Sequence, residues 1–313
     1  MHTGIRIRLW PLLILFFLIL TPAACLGELR IGVIMSGDIP YYGEMHDAFV
    51  KELQPQLPAG EKLEIILQRP FPDPIAWSNA ARKLIAVEVD LIVAFGAPAT
   101  LAVVQENSPL PMVYAGVYDP EHAGIKGKNV TGCGFKVPLS SLLRYFKQLK
   151  KVSTLTVVFS GIEEDSVRQK EELRALAAGQ QIQIKEMDIR AMADLEQLRG
   201  LNGDDTVFVT GSALSHVWLN DILVILRQKK VPMGTIFPDP AEAGVLIALF
   251  QPPQEQGKMA ATMAARILHG EKPGSIAPEV QRDTELVFNL VEAQKIGITF
   301  PIQLIVEATR VIK

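Results

Sequence analysis

Between Leu29 and Phe250, short apolar runs rich in β-branched residues alternate with amphipathic stretches, the pattern of repeated strand-helix units building a parallel sheet. The runs predict strands at Arg30 to Met35, Leu63 to Gln68, Asp90 to Phe95, Met112 to Val117, Leu155 to Phe159, Ile182 to Met187, Thr206 to Thr210, Val231 to Ile236 and Val245 to Phe250. Most are continuously apolar rather than alternating, which fits strands covered by helices on both faces. Predicted helices are Met45 to Leu57, Pro74 to Val87, Pro98 to Glu106, Ser140 to Lys150, Glu164 to Ala178, Ser215 to Lys229 and Gln254 to Leu268. In the clearest of them, Glu164 to Ala178, charges occupy one face and Val167, Leu173 and Leu176 the other. The series runs twice, up to Val117 and afresh from Leu155, so the expected fold is α/β, with two Rossmann-like lobes built on parallel sheets.

The N-terminus breaks this pattern. Arg6 and Arg8 precede an apolar core from Leu9 to Leu20, too short for the roughly 20 residues of a membrane span and followed by small residues. Residues 1 to 27 are therefore expected to be a secretory signal peptide, and the mature chain to work in the periplasm or otherwise outside the cytoplasm. Cys25 is a candidate lipidation site, although Pro22 stands where a lipoprotein signal normally carries Leu; simple cleavage near Gly27 is the alternative. The membrane is expected to matter only through these two features. Cys133 is the only other cysteine, so burial rather than disulfides must hold the fold, and Cys133 reads as a small buried residue. A net charge of -3 offers no basic face for nucleic acid.

Candidate chemistry gathers where strands end. In an open parallel sheet, ligands lie outside the carboxyl ends of the strands. Ser36-Gly37-Asp38-Ile39-Pro40, Gly96-Ala97-Pro98-Ala99-Thr100 and Tyr118-Asp119-Pro120 all fall there. The first two open helices, whose first N–H groups lack intrahelical partners and attract a carboxylate or phosphate. Gly96 and Ala97 allow close approach, Pro98 suits the first helical turn, and Ser36 and Thr100 could add hydroxyl donors. Gly and Pro are also ordinary punctuation at such turns. Tyr41, Tyr42 and Tyr118 are cleft walls for an aromatic ligand or half-buried turn residues. The chain has no Gly-x-Ser-x-Gly elbow, Walker loop or Gly-x-Gly-x-x-Gly fingerprint. No two histidines stand at metal-ligand spacing, and His122 with Asp119 and Glu121 reads as a solvated loop. No metal, cofactor or catalytic residue is expected, and the chain is read as a non-enzyme.

Six segments carry a resemblance: "IGVIMSGDIP" (31 to 40), "VDLIVAFGAPATLAV" (89 to 103), "PMVYAGVYDPEHAG" (111 to 124), "NVTGCGF" (129 to 135), "ARILHGEKPGSI" (265 to 276) and "LVFNLVEAQKIGITFP" (286 to 301). In order and spacing the chain resembles ABC transporter substrate-binding proteins of the tryptophan- and tyrosine-binding type, with a type I periplasmic binding protein fold. The resemblance implies a three-segment hinge near 134 to 138, 248 to 253 and 277 to 284. Lobe 1 is then 28 to 136 with 251 to 279, and lobe 2 is 137 to 250 with 280 to 313. It points to ligand contacts from Ser36, Gly96, Ala97, Pro98, Ala99 and Asp119 in lobe 1, and Asp165-Ser166 matches the place of a polar pair in lobe 2; Gly37, Tyr42, Thr100 and Tyr118 from the same turns, and Gly211, Ser212 and Phe237 of lobe 2, complete the candidate ligand-binding residues.

Lobe 2 departs from the family pattern. Thr210-Gly211-Ser212-Ala213 stands where amino-acid binders usually carry Asp-Asn, and Ile236-Phe237 where a small polar and acidic pair is expected. A buried ammonium is costly without an acidic partner, so the expected ligand is a less cationic carboxylate, aromatic or branched. The partner implied is an ABC permease in the inner membrane. The alternatives are a sensing module that signals to a membrane kinase and, behind it, a secreted α/β hydrolase, for which Ser36 has only Asp38 nearby in sequence.

Overall fold

A computed structural model describes residues 28–57 and 60–313. The expected signal peptide and Cys25 lie outside the described residues.

The chain opens with β1 (Glu28–Met35), α1 (Pro40–Leu53), β2 (Lys62–Gln68), α2 (Pro74–Ala86), β3 (Leu91–Phe95), α3 (Ala97–Gln105), β4 (Met112–Tyr118) and β5 (Val130–Phe135). It continues with α4 (Leu139–Leu149), β6 (Thr154–Phe159), α5 (Glu164–Ala178), β7 (Gln183–Asp188), β8 (Val207–Val209), α6 (Ala213–Val217), α7 (Leu219–Gln228), β9 (Met233–Thr235) and β10 (Ile247–Phe250). Then follow α8 (Pro253–Leu268), β11 (Glu279–Gln281), β12 (Glu285–Asn289), α9 (Leu290–Ile296), α10 (Ile302–Ile305) and β13 (Arg310–Ile312).

These strands form two sheets, as the doubled pattern predicts. The first has six strands in the order β11-β5-β4-β3-β1-β2 and the second seven in the order β13-β12-β10-β9-β8-β6-β7. Every pairing in the first is parallel; in the second only β10 with β12 is antiparallel. The chain passes between the sheets three times, after β5, after β10 and between β11 and β12. Strand β11 pairs Glu279, Val280 and Gln281 with Cys133, Gly134 and Phe135, so the last passage lies beyond Gln281. Gln256 on α8 braces the middle passage, accepting from Gly116 N and donating to Gly134 O, both at 3.0 Å, and to Gln251 Oε1.

Strands β1, β3 and β4 are apolar runs buried through their C-terminal halves, consistent with helices on both faces. Helix α1 buries Tyr41, Tyr42, Met45, His46, Phe49 and Leu53, and it presses so closely on α8 that a Cβ on Gly257 would overlap Met45 O. Cys133 is buried, its Sγ donating to Gln256 O at 3.4 Å, and burial pushes its thiol pKa up.

The periodicity misses β5, because Gly132 and Gly134 break the β-branched signal. Those glycines are required: a Cβ at either would overlap a carbonyl of β4, Tyr114 O or Val117 O, where the β4–β5 register shifts. The helix expected over Ser215 to Lys229 is broken at Trp218 into α6 and α7. On α5 the Val167, Leu173 and Leu176 stripe packs on the core, Leu173 fully buried and the other two partly, but the fully buried face is wider. It is Asp165, Ser166, Gln169, Lys170, Leu173 and Ala177, which is polar at its N-terminal end. That polar, buried end faces the other lobe.

Candidate functional site

The carboxyl ends of both sheets meet across an interlobe cleft. Gly37 touches lobe 2 there, since a Cβ on it would stand 3.0 Å from Ala213 Cβ. The Ser36–Gly37 turn is held by Trp77, whose Nε1 donates to Ser36 O at 2.8 Å.

At the tip of β3, Gly96 caps α3 with φ +89° and ψ 157°, a conformation essentially restricted to glycine. A Cβ there would also overlap Ser36 Oγ and Tyr42 Oη. The hydroxyls expected to reach a ligand from this turn are engaged within the protein. Ser36 Oγ donates to Phe95 O (2.9 Å) and accepts from Ala99 N (3.1 Å), and Thr100 Oγ1 donates to Gly96 O (2.7 Å). Gly96 N itself donates to Ala115 O at 2.8 Å. Pro98 has no N–H, so the Ala97 amide is the one left open at the start of α3, while in the Ser36–Pro40 turn the Gly37, Asp38 and Ile39 amides have no partner among the described residues. Ser36 is also no activated nucleophile, because its proton is committed to a carbonyl.

Aromatic rings fill the centre. Phe237 of lobe 2 stacks on Tyr41 of lobe 1, with centroids 4.0 Å apart and planes 14° from parallel. Tyr42 lies at 6.3 Å and Phe135 at 6.4 Å from the same ring, and His216 of lobe 2 at 4.8 Å from it. The hydroxyls of Tyr41 and Tyr42 are enclosed without a hydrogen-bond partner among the described residues. Burial, with the nearby acids, pushes both phenol pKa values up, so both hydroxyls stay protonated.

Lobe 2 supplies buried acids. Asp165, at the start of α5, is 2% exposed; burial pushes its carboxyl up to about 6 against the opposing pull of Arg168. Its charge acts on both Tyr41 and Tyr42, which places it at the cleft. Glu163 accepts from Ala213 N (2.8 Å) and Leu214 N (2.9 Å), and burial followed by the Asp165 charge pushes it up to about 8. Ser166, Gly211 and Ser212 are engaged inside the lobe. Ser166 Oγ bonds Thr210 Oγ1 and accepts from Ser160 N, Gln169 brackets both peptide groups of Gly211, and Ser212 Oγ caps α6 through Ser215 N.

A polar strap crosses beside the hinge. Arg168 Nη2 donates to Tyr118 O (2.9 Å), and Tyr118 Oη donates to Glu172 Oε2 (2.8 Å). Lys136 Nζ bridges Asp119 Oδ2 (2.9 Å) and Glu172 Oε2 (2.6 Å). Asp119 also meets His122 Nδ1 at 2.9 Å; burial opposes its charge, but His122 and Lys136 outweigh it and hold the carboxyl below its ordinary value.

The structure therefore brings Gly37, Tyr42, Gly96, Ala97, Asp165 and Phe237 to the cleft centre, sets Tyr118 and Asp119 in the strap, and uses Ser36, Ala99, Thr100, Ser166, Gly211 and Ser212 as internal supports. Pattern reading missed Glu163, Arg168, His216 and Asp239. Lobe 2 does carry buried acids beyond the positions compared in the sequence: Asp165, 2% exposed, and Asp239, 8% exposed, which follows Phe237 by two residues, whereas Glu163 is held protonated and balances no cation.

The interlobe space is tight. Between Ile39, Pro40, Tyr41 and Glu44 on one side and His216 and Phe237 to Pro240 on the other lies a cavity of about 70 Å³. Small-molecule sites typically span roughly 300–1,000 Å³. Among the described residues no helix is long and apolar enough to cross a membrane, and no group of three or more His, Cys, Asp or Glu is placed to hold a metal ion.

Comparison with known proteins agrees with this architecture. The chain is similar to a conserved domain protein from Vibrio cholerae O1 biovar El Tor (TM-score 0.86, 23% identity, covering 91% of this chain and 100% of that one). It is similar to an ABC domain from Streptococcus pneumoniae solved in complex with L-Trp (TM-score 0.83, 21% identity, 91% and 100%). A substrate-binding protein with adhesive properties from Clostridium difficile, in a ligand-free, open structure, matches at TM-score 0.64 and 23% identity over 91% and 99%. No curated protein matches the chain. The model of the family described as ABC transporter substrate binding protein matches residues 60–312. With two parallel-sheet lobes, a triple crossover and a cleft between strand ends, the chain belongs to the ABC transporter substrate-binding protein family.

Proposed function

We propose that this chain is the extracytoplasmic solute-binding component of an ABC importer, and that it captures a small carboxylate-bearing aromatic ligand between its lobes by hinge closure. The carrying observation is the interlobe stack of Tyr41 on Phe237 at 4.0 Å, bordered by polar groups of both lobes. A planar ring is what such a slot accepts, and a ligand ring replaces the face that Phe237 now presents to Tyr41. The Gly37 and Ala97 amides suit the carboxylate, aided by the N-terminal end of α3. Asp165 stands where an α-ammonium can be balanced, which extends the ligand class from plain aromatic acids to aromatic amino acids. L-Trp, the ligand named for the Streptococcus pneumoniae structure, has this chemistry.

Entry requires the lobes to part, because a cavity of about 70 Å³ cannot admit an indole or phenol. Bound ligand then bridges the lobes and shifts the equilibrium toward the closed form that a permease reads. Thermal shift of the mature protein against amino acids and aromatic or branched acids, with X-ray scattering on the hits, tests this. Stabilisation and compaction by aromatic members are expected; no shift across the whole library refutes it.

A further inference from the structure

Two residues that line the cavity between α1 and the segment after β9 carry acceptors with no partner among the described residues. His216 Nδ1 lies 2.9 Å from Ser212 O. A carbonyl can only accept, so Nδ1 carries the ring proton. Burial pulls the imidazole pKa down to about 4, so the ring is neutral at neutral pH. Its Nε2 is therefore a bare lone pair, and that atom is enclosed without a partner. On the same wall, Asp239 Oδ2 accepts from Gly244 N (3.0 Å) and Val245 N (2.9 Å), while Oδ1 is enclosed and unpartnered. Glu44 on the facing helix adds a third acceptor, exposed and held by Gln254. Among the lining side chains, the Tyr41 hydroxyl is a donor without a partner among the described residues.

From the Gly96 turn the order of groups across the cleft is Tyr42, then Tyr41 with Phe237, then His216. A ligand whose carboxylate sits at the turn and whose ring lies in the stack has its far edge at this cavity. Resting on the function proposed above, we infer that His216 Nε2 and Asp239 form a donor-reading subsite, which selects aromatic ligands bearing an N–H or O–H at the ring edge over those with a bare hydrocarbon edge. A cavity of about 70 Å³ has room for a hydroxyl or indole N–H and its immediate neighbours, water claiming roughly 30 Å³. A hydrocarbon edge would seal two acceptors away from any donor, the arrangement by which polar sites reject analogues lacking a hydrogen-bonding group.

Calorimetric titration with two matched pairs, L-tyrosine against L-phenylalanine and L-tryptophan against 1-methyl-L-tryptophan, tests the subsite. One pair removes bulk with the donor and the other adds it, so a purely steric effect would move them in opposite directions. The donor-bearing member of each pair is expected to bind about tenfold or more tightly. His216→Phe, which keeps a ring but no lone pair, is expected to level both pairs. An upfield change of the His216 Nε2 nitrogen resonance with L-tyrosine but not with L-phenylalanine gives a reading in the unaltered protein. Equal affinities within both pairs, or a preference that survives His216→Phe, overturn the subsite alone. Failure of all four amino acids to bind overturns the ligand class and the subsite with it.

Discussion

Phe237→Ala separates a clasp between lobes from an ordinary core residue. The ring is 1% exposed, and of its neighbours Tyr41, Tyr42 and Phe135 belong to the first lobe. Opening the cleft strips those three away and leaves neighbours of its own lobe such as Gly211 and His216. Burying a phenylalanine side chain contributes about 1.5–3 kcal/mol, and a well-placed aromatic pair about 0.5–1.5 kcal/mol beyond that. Part of the ring stays covered in the open form, so the closed arrangement should lose about 3 kcal/mol, roughly a hundredfold in the closing equilibrium. Scattering from the ligand-free protein should therefore show a larger radius of gyration for the variant, while its unfolding free energy in urea changes by less than this. The reasoning is refuted if the scattering curve is unchanged and unfolding instead loses the roughly 3–5 kcal/mol usual for a truncated core phenylalanine.

Two further outcomes follow from the same cleft. Gly96→Ala combines a glycine-only backbone conformation with overlap on Ser36 Oγ and Tyr42 Oη, so the urea midpoint should report a loss of about 3 kcal/mol; a change within about 0.5 kcal/mol would show that the turn can relax. Glu163 is held protonated in the folded protein up to about 8 but ionises at an ordinary carboxyl value once unfolded. The folded state thus binds more protons between these values, and stability falls as pH rises from roughly 4.3 toward 8, with Asp165 adding to the slope up to about 6. Below about 6.5 the depressed His216 opposes this slope, so the decline is read from pH 6.5 to 8, where melting temperatures should fall and Glu163→Gln should flatten the fall; a flat or rising profile there in the unaltered protein contradicts the buried-acid argument.

Hydrophobic pattern alone determined the two parallel-sheet lobes, because strands covered on both faces must be continuously apolar and helices must carry a stripe. Runs such as Leu91 to Phe95 declare this locally. It also placed the turns at Ser36, Gly96 and Tyr118 at the ligand-facing strand ends, since Gly and Pro punctuate such ends. Tertiary structure decided which atoms are free there. Whether Ser36 Oγ faces a ligand or Phe95 O depends on a residue 59 positions away, which no local spacing records. The same holds for α5, whose apolar stripe marks Val167, Leu173 and Leu176 but gives no sign that packing also buries Asp165, Ser166 and Gln169. His216 and Asp239 carry no motif. Their meaning comes from enclosure and from one carbonyl that fixes a proton on Nδ1, and both are consequences of how distant segments pack.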